Sequence, residues 1–126
     1  VGETLEEREG GRLEEVLREQ MEAFLPMVQA HPGVRIMVAY EPVWAIGTGK
    51  TATPDDASRA HAFLRERLTS ALDEERAQGI PLLYGGSVKP ENADELLSAP
   101  EVDGVLVGGA SLDPASFQAI AEALRP

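Results

Sequence analysis

The sequence contains no cysteine, which excludes disulfide bonds and thiol-ligated metal sites. Basic residues are scarce: 11 lysines and arginines stand against 22 aspartates and glutamates, so the formal net charge is −11 at pH 7. Nucleic acids and anionic membranes bind to basic surfaces, so we expect neither as a partner. No apolar run approaches the roughly 18 residues of a membrane span and no signal peptide is visible, which favours a cytoplasmic protein.

The 126 residues correspond to one domain at most, and a hydrophobic content of 43% is typical of a soluble globular protein. The acidic balance does not exclude a small phosphate ligand, because backbone N–H groups bind anions without any net positive charge. The chain begins with Val1 and not with Met, so we expect either a processed protein or a piece of a longer one.

Helical and strand periodicity alternate along the chain. The spacing predicts helices over 12–30, 54–79, 90–97 and 114–124, and buried strands over 34–40, 80–84 and 104–107. Alternation without a hairpin signal predicts an α/β fold with parallel strands and right-handed α crossovers. Three strands are too few for a finished sheet, so we predict about half of a (β/α)8 barrel, with at least one unpaired sheet edge if the chain is alone.

Three loops follow the predicted strands at their carboxyl ends, where parallel α/β folds collect functional groups. The first loop begins with Glu41, and the other two carry glycine pairs at 85–86 and 108–109. Glycine lets a backbone approach a ligand closely, and its exposed N–H groups can cradle an anion. Glu41 is therefore either a general base, kept from water by Trp44 and Ile46, or an ordinary exposed acid.

The loop over residues 42–52 is longer than the ~2–6 residues usual in such folds, and longer loops tend to be functional lids. Pro42 is rigid, whereas Gly47 and Gly49 are flexible, which suits a lid that moves as a body between two hinges. An ordinary connection is the alternative. His61 lies in the middle of a predicted helix, and no cluster has metal-ligand spacing, so we interpret His61 as structural and expect no metal.

The segment over 39–50, AYEPVWAIGTGK, resembles the catalytic-glutamate segment and lid of triosephosphate isomerases. Segments 84–88 and 106–112 resemble the two phosphate-binding loops of that family, and 1–8 is similar to the segment after its fifth strand. The resemblance covers the whole chain in order. It implies a single partial (β/α)8-barrel domain over 1–126, from the end of the fifth strand through the last helix.

The resemblance implies that Glu41 is the base that interconverts dihydroxyacetone phosphate and glyceraldehyde 3-phosphate through an enediolate. The residues that it implies hold the substrate phosphate are Gly47, Ser87, Gly108 and Gly109. The lid hinges that it implies are Pro42, Val43 and Trp44 at the first end, and Lys50, Thr51 and Ala52 at the second. Closure of the lid would exclude water and protect the enediolate.

The resemblance further implies no metal or organic cofactor, a cytoplasmic enzyme of glycolysis and gluconeogenesis, and a homodimer as the full-length state. The family also uses an asparagine and a lysine on its first strand, a histidine after its fourth and a dimer loop after its third; none can be placed here. We expect this chain alone to be inactive, because losing one such donor costs ~10²–10³ in rate. A non-catalytic half-barrel that binds phosphate or pairs with a partner, and a different phosphate-binding barrel enzyme, are the alternatives.

Overall fold

The computed structural model describes residues 1–124 and contains a parallel sheet packed against helices. The strands are β1 (Val38–Tyr40), β2 (Leu82–Tyr84) and β3 (Gly104–Val105). The helices are α1 (Leu5–Glu9), α2 (Leu13–Ala30), α3 (Pro54–Ala71), α4 (Glu74–Gln78), α5 (Pro90–Leu97) and α6 (Pro114–Glu122). Single 3-10 turns span Val43–Ala45 and Gly109–Leu112.

The strands lie in the order β1-β2-β3, and both pairs are parallel, with Val38 opposite Leu82 and Leu83 opposite Gly104. Helices α3 and α4 connect β1 to β2, and α5 connects β2 to β3. The predicted α/β fold with parallel strands and helical crossovers is confirmed, and it has the form of a half barrel.

The first three residues extend the sheet beyond β1. The Val1 amino group donates to the Ala39 carbonyl at 2.8 Å, and the Glu41 amide donates to the Val1 carbonyl at 2.7 Å. The Val43 amide then donates to the Glu3 carbonyl at 3.0 Å. Val1 thus bonds to Ala39 and Glu41, which are two positions apart, and this is the hydrogen-bond pattern of parallel strands. Residues 1–3 therefore occupy the position of a further strand.

Several predicted bounds were wrong. Residues 34–37, 80–81 and 106–107 lie outside the strands, whose pairing covers only Val38–Tyr40, Leu82–Tyr84 and Gly104–Val105. The predicted helix over 54–79 is interrupted: α3 ends at Ala71, and Asp73 caps α4 by accepting from the Arg76 amide at 2.8 Å. The last helix ends at Glu122, not at Leu124.

Helix α1 precedes the first predicted helix and was not predicted from the sequence. Thr4 and Glu7 form a reciprocal capping box: the Glu7 amide donates to the Thr4 hydroxyl at 3.2 Å, and the Thr4 amide donates to the Glu7 carboxylate at 2.7 Å. Such a box satisfies amides that a short helix otherwise leaves unpaired. This helix places Arg8 beside the beginning of the lid.

The core lies between the sheet and the long helices. Its fully buried members from α2 and α3 follow the predicted apolar stripes: Leu17, Met21, Val28, Ala57, Ala60, Leu64 and Leu68. Alternate strand residues differ in burial, since Tyr40 and Tyr84 are buried whereas Ala39 and Leu83 are half-buried. One face of the sheet therefore packs on helices, as in a barrel wall. Within residues 1–124, no helix has both the length and the apolar character required to cross a bilayer.

Candidate active site

A cavity of about 560 Å³ lies at the carboxyl ends of the three strands. The predicted base and all four predicted phosphate ligands line it: Glu41, Gly47, Ser87, Gly108 and Gly109. They come together because parallel strands all end at the same edge of a sheet. The arrangement places one carboxylate and several glycine-rich backbone segments around a single space.

Glu41 directly follows β1, and its side chain packs on Gly85. A Cβ atom at position 85 would lie 2.6 Å from Cγ of Glu41 and 3.2 Å from its Oε1. Only glycine leaves room for the carboxylate at this place. Sequence patterns suggested an anion-binding role for the glycine pair, whereas the structure shows that Gly85 also leaves the space in which the Glu41 side chain lies.

The backbone of Glu41 packs closely against Gly2. A Cβ atom at Gly2 would overlap the Glu41 carbonyl. Gln20 fixes Gly2 with two hydrogen bonds, accepting from its amide at 2.8 Å and donating to its carbonyl at 3.1 Å. The position of Glu41 is thus set by α2 and by the segment beside β1, a long-range arrangement with no signal in local periodicity.

The predicted lid over residues 42–52 is bonded to the loop that follows β2. The Ser87 hydroxyl donates to the Ala45 carbonyl at 2.9 Å. At the other end of the lid, the Ala52 amide lies 3.4 Å from the Tyr84 hydroxyl oxygen, which accepts its hydrogen bond. Burial raises the pKa of Tyr84, so the hydroxyl stays protonated at neutral pH.

The six predicted hinge residues differ in burial. Those wholly or partly buried are Pro42, Trp44 and Ala52, and those exposed are Val43, Lys50 and Thr51. Between them, Thr48 donates to the Trp44 carbonyl at 2.6 Å and accepts from the Lys50 amide at 3.2 Å. The middle of the lid is therefore a compact turn. Gly47 there has a φ of 67°, a conformation that favours glycine.

Gly108 and Gly109 face open space. Apart from the glycine itself and its two neighbours in the chain, no atom of the described residues lies within 4 Å of the position that a Cβ would take at either residue. Gly109 begins a 3-10 turn, whose first amides have no partner within the turn. Ser111 holds this turn in place, since its amide and hydroxyl donate to the Gly108 carbonyl at 2.9 and 2.7 Å. Free amides beside an open cavity suit an anion.

Lys89 is a cavity residue that the sequence patterns did not single out. It lies at the beginning of α5 and adds a positively charged residue to the cavity lining that also includes Glu41. Asn92 stabilises this corner, because its side chain accepts from the Lys89 amide and donates to the Ser87 carbonyl, both at 2.8 Å. Pro90 marks the start of α5, so Lys89, the residue before it, could have been identified from the sequence as a candidate cavity residue.

A buried carboxylate lies under the first hinge. Glu3 is fully buried, and the Tyr40 hydroxyl donates to its two oxygens at 2.9 and 3.0 Å. Burial, together with the neighbouring negative charge of Glu3, raises the pKa of Tyr40, which keeps its hydroxyl a donor.

Within residues 1–124, no group of three or more potential ligands converges on a metal position.

Residues 1–124 match the family model described as triosephosphate isomerase. A curated triosephosphate isomerase of Xanthomonas campestris pv. campestris (strain 8004) is 57% identical over 98% of this chain and 49% of its own length. That of Alkalilimnicola ehrlichii is 53% identical over 100% of this chain and 50% of its own. The triosephosphate isomerase of Stenotrophomonas maltophilia is 54% identical over 98% of this chain and 49% of its own length. The chain spans about half the length of the curated relatives it matches, and the match lies in their carboxyl-terminal half.

Proposed function

This chain belongs to the triosephosphate isomerase family, and we propose that it supplies the base, the lid and the phosphate-binding loops of an isomerase. The substrates are dihydroxyacetone phosphate and glyceraldehyde 3-phosphate. In this proposal, residues 1–126 form a single partial (β/α)8-barrel domain. It corresponds to the carboxyl-terminal half of the barrel, from the end of the fifth strand through the last helix.

The observation that carries the proposal is the shared cavity. Its volume of about 560 Å³ lies within the ~300–1,000 Å³ typical of small-molecule sites. A triose phosphate has one doubly charged end and one reactive end. The amides around Gly108 and Gly109, with the charge of Lys89, suit the phosphate, and Glu41 lies across the same space for the carbon skeleton.

The reaction requires that one proton move between neighbouring carbons. Glu41 takes the proton from the carbon beside the carbonyl, which leaves an enediolate, and returns it to the former carbonyl carbon, while the hydroxyl proton passes to the former carbonyl oxygen. The carboxylate ends as it began, and no electron acceptor is consumed. The lid excludes water during this exchange, which protects the charged intermediate from side reactions.

The charge on the enediolate oxygen requires hydrogen-bond donors. We assign them to an amino-terminal half barrel, corresponding to the half of each relative that this chain does not match. The completed enzyme is, in this proposal, a cytoplasmic homodimer that acts in glycolysis and gluconeogenesis. A phosphate-binding half-barrel without catalysis is the second candidate, but phosphate binding alone does not require a carboxylate at position 41.

The test is isomerase activity of this chain, alone and mixed with the amino-terminal half of the Xanthomonas campestris relative. We expect activity only in the mixture, and its loss in Glu41→Gln but not in Glu95→Gln, a control for an exposed acid on α5. A mixture that forms a stable complex by size-exclusion chromatography, binds phosphate and shows no turnover would instead support the non-catalytic half-barrel.

A further inference from the structure

We propose that Arg8 is a positioning residue that ties the two ends of the lid to each other and to the barrel wall. The inference rests on the proposed function for what the lid accomplishes, but not for how the lid is held. Arg8 lies on α1, outside the cavity, and it contacts three separate elements.

The first contact is with the beginning of the lid. The guanidinium carbon of Arg8 lies 4.7 Å from the centroid of the Trp44 ring, within the range of a cation–π contact. The Nε1 atom of Trp44 is buried and has no hydrogen-bond partner among the described residues. The ring is therefore held by packing and by the overlying guanidinium, not by a directional hydrogen bond.

The second contact is just beyond the other end of the lid. Nη2 of Arg8 donates to Oδ1 of Asp56 at 2.5 Å. The other carboxylate oxygen of Asp56 accepts from the Thr53 amide at 3.0 Å, and the Thr53 hydroxyl accepts from the Asp56 amide at 3.1 Å. This capping box forms the start of α3, immediately after Ala52. Arg8 therefore binds the helix start that directly follows the lid.

Asp56 remains charged for this pairing. Burial works against its ionisation, but the hydrogen bonds from Thr53 and the charge of Arg8 hold the pKa of Asp56 below its ordinary value. The third contact anchors Arg8 itself: Nη1 lies 3.5 Å from Oε2 of the buried Glu3. The Glu3 carbonyl in turn accepts from the amide of Val43, in the first hinge.

A lid that moves as a body keeps a constant distance between its two ends. Arg8 touches Trp44 at one end and the helix start at the other, so it spans that distance from outside. Loss of the guanidinium frees both ends, and Gly47 in the lid then spends less time at the cavity. Substrate binding weakens, while the base stays in place.

The test uses the fluorescence of Trp44, the single tryptophan of the chain, which reports on the first hinge. Arg8→Met is expected to raise acrylamide quenching of Trp44 about threefold, the factor that corresponds to a cation–π contact of this type. Arg8→Lys keeps the charge but not the planar stack, and its quenching is expected to be intermediate. Asp56→Asn releases only the second end and is expected to change the quenching least.

The matched control is Arg18→Met. Arg18 also covers an aromatic ring, with its guanidinium carbon 5.7 Å from the centroid of Phe63, but within residues 1–124 no hydrogen bond, ion pair or ring contact joins it to the lid. Its replacement is expected to leave Trp44 quenching unchanged. Quenching in Arg8→Met equal to that of the parent chain and of Arg18→Met would overturn the proposal. If Arg8→Met does not fold, the same comparison is made with Arg8→Lys.

The second readout is kinetic and uses the complex with the amino-terminal half. Arg8→Met is expected to raise KM for dihydroxyacetone phosphate about threefold with a smaller change in kcat, and Arg8→Lys is expected to recover part of the loss. A fall in kcat alone would contradict a role in holding the lid. If the parent complex shows no turnover, the proposed function fails, but the quenching experiment still decides the role of Arg8.

Discussion

The two ends of the sheet are built in opposite ways. At the amino ends of β2 and β3, the guanidinium of Arg65 is buried and donates to the carbonyls of Ala77 and Ile80 at 2.6 and 2.7 Å. Its other nitrogens reach the carboxylates of Glu101 and Asp103 at 3.0 and 2.6 Å. At the carboxyl ends, glycine loops and the predicted lid line an open cavity. One end is closed by a polar network, which leaves the other end available for chemistry.

Further contacts strengthen the closed end. Asp103 also accepts from the Leu82 amide at 2.8 Å, which ties the starts of β2 and β3 together. His61 lies 2.9 Å from the Glu101 carbonyl, so Nδ1 carries the proton of that hydrogen bond. Glu101 itself has a φ of 63°, a strained value for a residue with a side chain. Substitutions here should change stability, whereas substitutions around the cavity should change catalysis.

The largest effect is expected from Glu41→Asp in the completed enzyme. The change retracts the carboxylate by about one methylene, and misplacement of this size costs about 10²-fold in rate. The thermal midpoint should not fall, since Glu41 belongs to the open end. Steady-state kinetics and a melting curve measure both quantities. Unchanged turnover would remove Glu41 from the role of base.

The next effect is expected from Arg65→Met, which leaves two carbonyls and two carboxylates without their partner. Because both carboxylates are partly exposed, we expect a loss of about 2–3 kcal/mol in the free energy of unfolding, measured with urea. Arg12→Met removes an exposed pair with Glu15 and is the control, with no measurable change expected. Equal stability of the two variants would show that the closed end is not held by this network.

A smaller effect is expected from Gly85→Ala. Its new Cβ would press against Cγ of Glu41 at 2.6 Å, so the carboxylate must shift. We expect about a tenfold fall in kcat of the completed enzyme, less than for Glu41→Asp because the side chain can partly adjust. Gly33→Ala, where no described atom lies within 4 Å of the added Cβ, is the control. Normal kcat in Gly85→Ala would mean that Gly85 does not determine the position of the base.

The smallest effect is a pH dependence at the closed end. Burial lowers the pKa of His61 below its ordinary 6.5, so the unfolded chain binds a proton that the folded chain does not. Stability from this residue is complete above pH 6.5 and is lost as the pH falls below it. His61→Asn, which can still donate to the Glu101 carbonyl, should flatten the melting temperature between pH 8 and 5.5; His31→Asn is the control. If the melting temperature changes equally with pH in the parent chain and in His61→Asn, His61 is not the source of the pH dependence.

Local signals predicted the elements that position the cavity. Pro90 and Pro54 mark helix starts, and α5 has the predicted bounds of 90–97. Glu41 and Gly108 could be chosen because each follows a strand, and strand ends meet at one edge of a parallel sheet. What these residues do to a substrate stays a prediction.

Long-range contacts could not be predicted in the same way. Arg65 and Asp103 are 38 positions apart, and Arg8 and Asp56 are 48 apart, so no periodicity connects them. The identity of a glycine does not show whether it binds an anion or makes room for a neighbouring side chain. Only the packed structure shows that Gly85 makes room for Glu41. The break after Ala71 was missed because its apolar spacing continues into α4.

In the proposed function, the carboxylate of Glu41 and the glycine loops bind one small phosphate in one cavity. The most direct measurement is a ¹⁵N NMR titration of this chain with glycerol 3-phosphate, with glycerol as the control and Gly109→Val as the variant that fills the open space. We predict that the amides of Gly47, Ser87, Gly108 and Gly109 shift together with one dissociation constant, and that the affinity falls in Gly109→Val. Shifts confined to another surface, or equal affinity in Gly109→Val, would contradict the account.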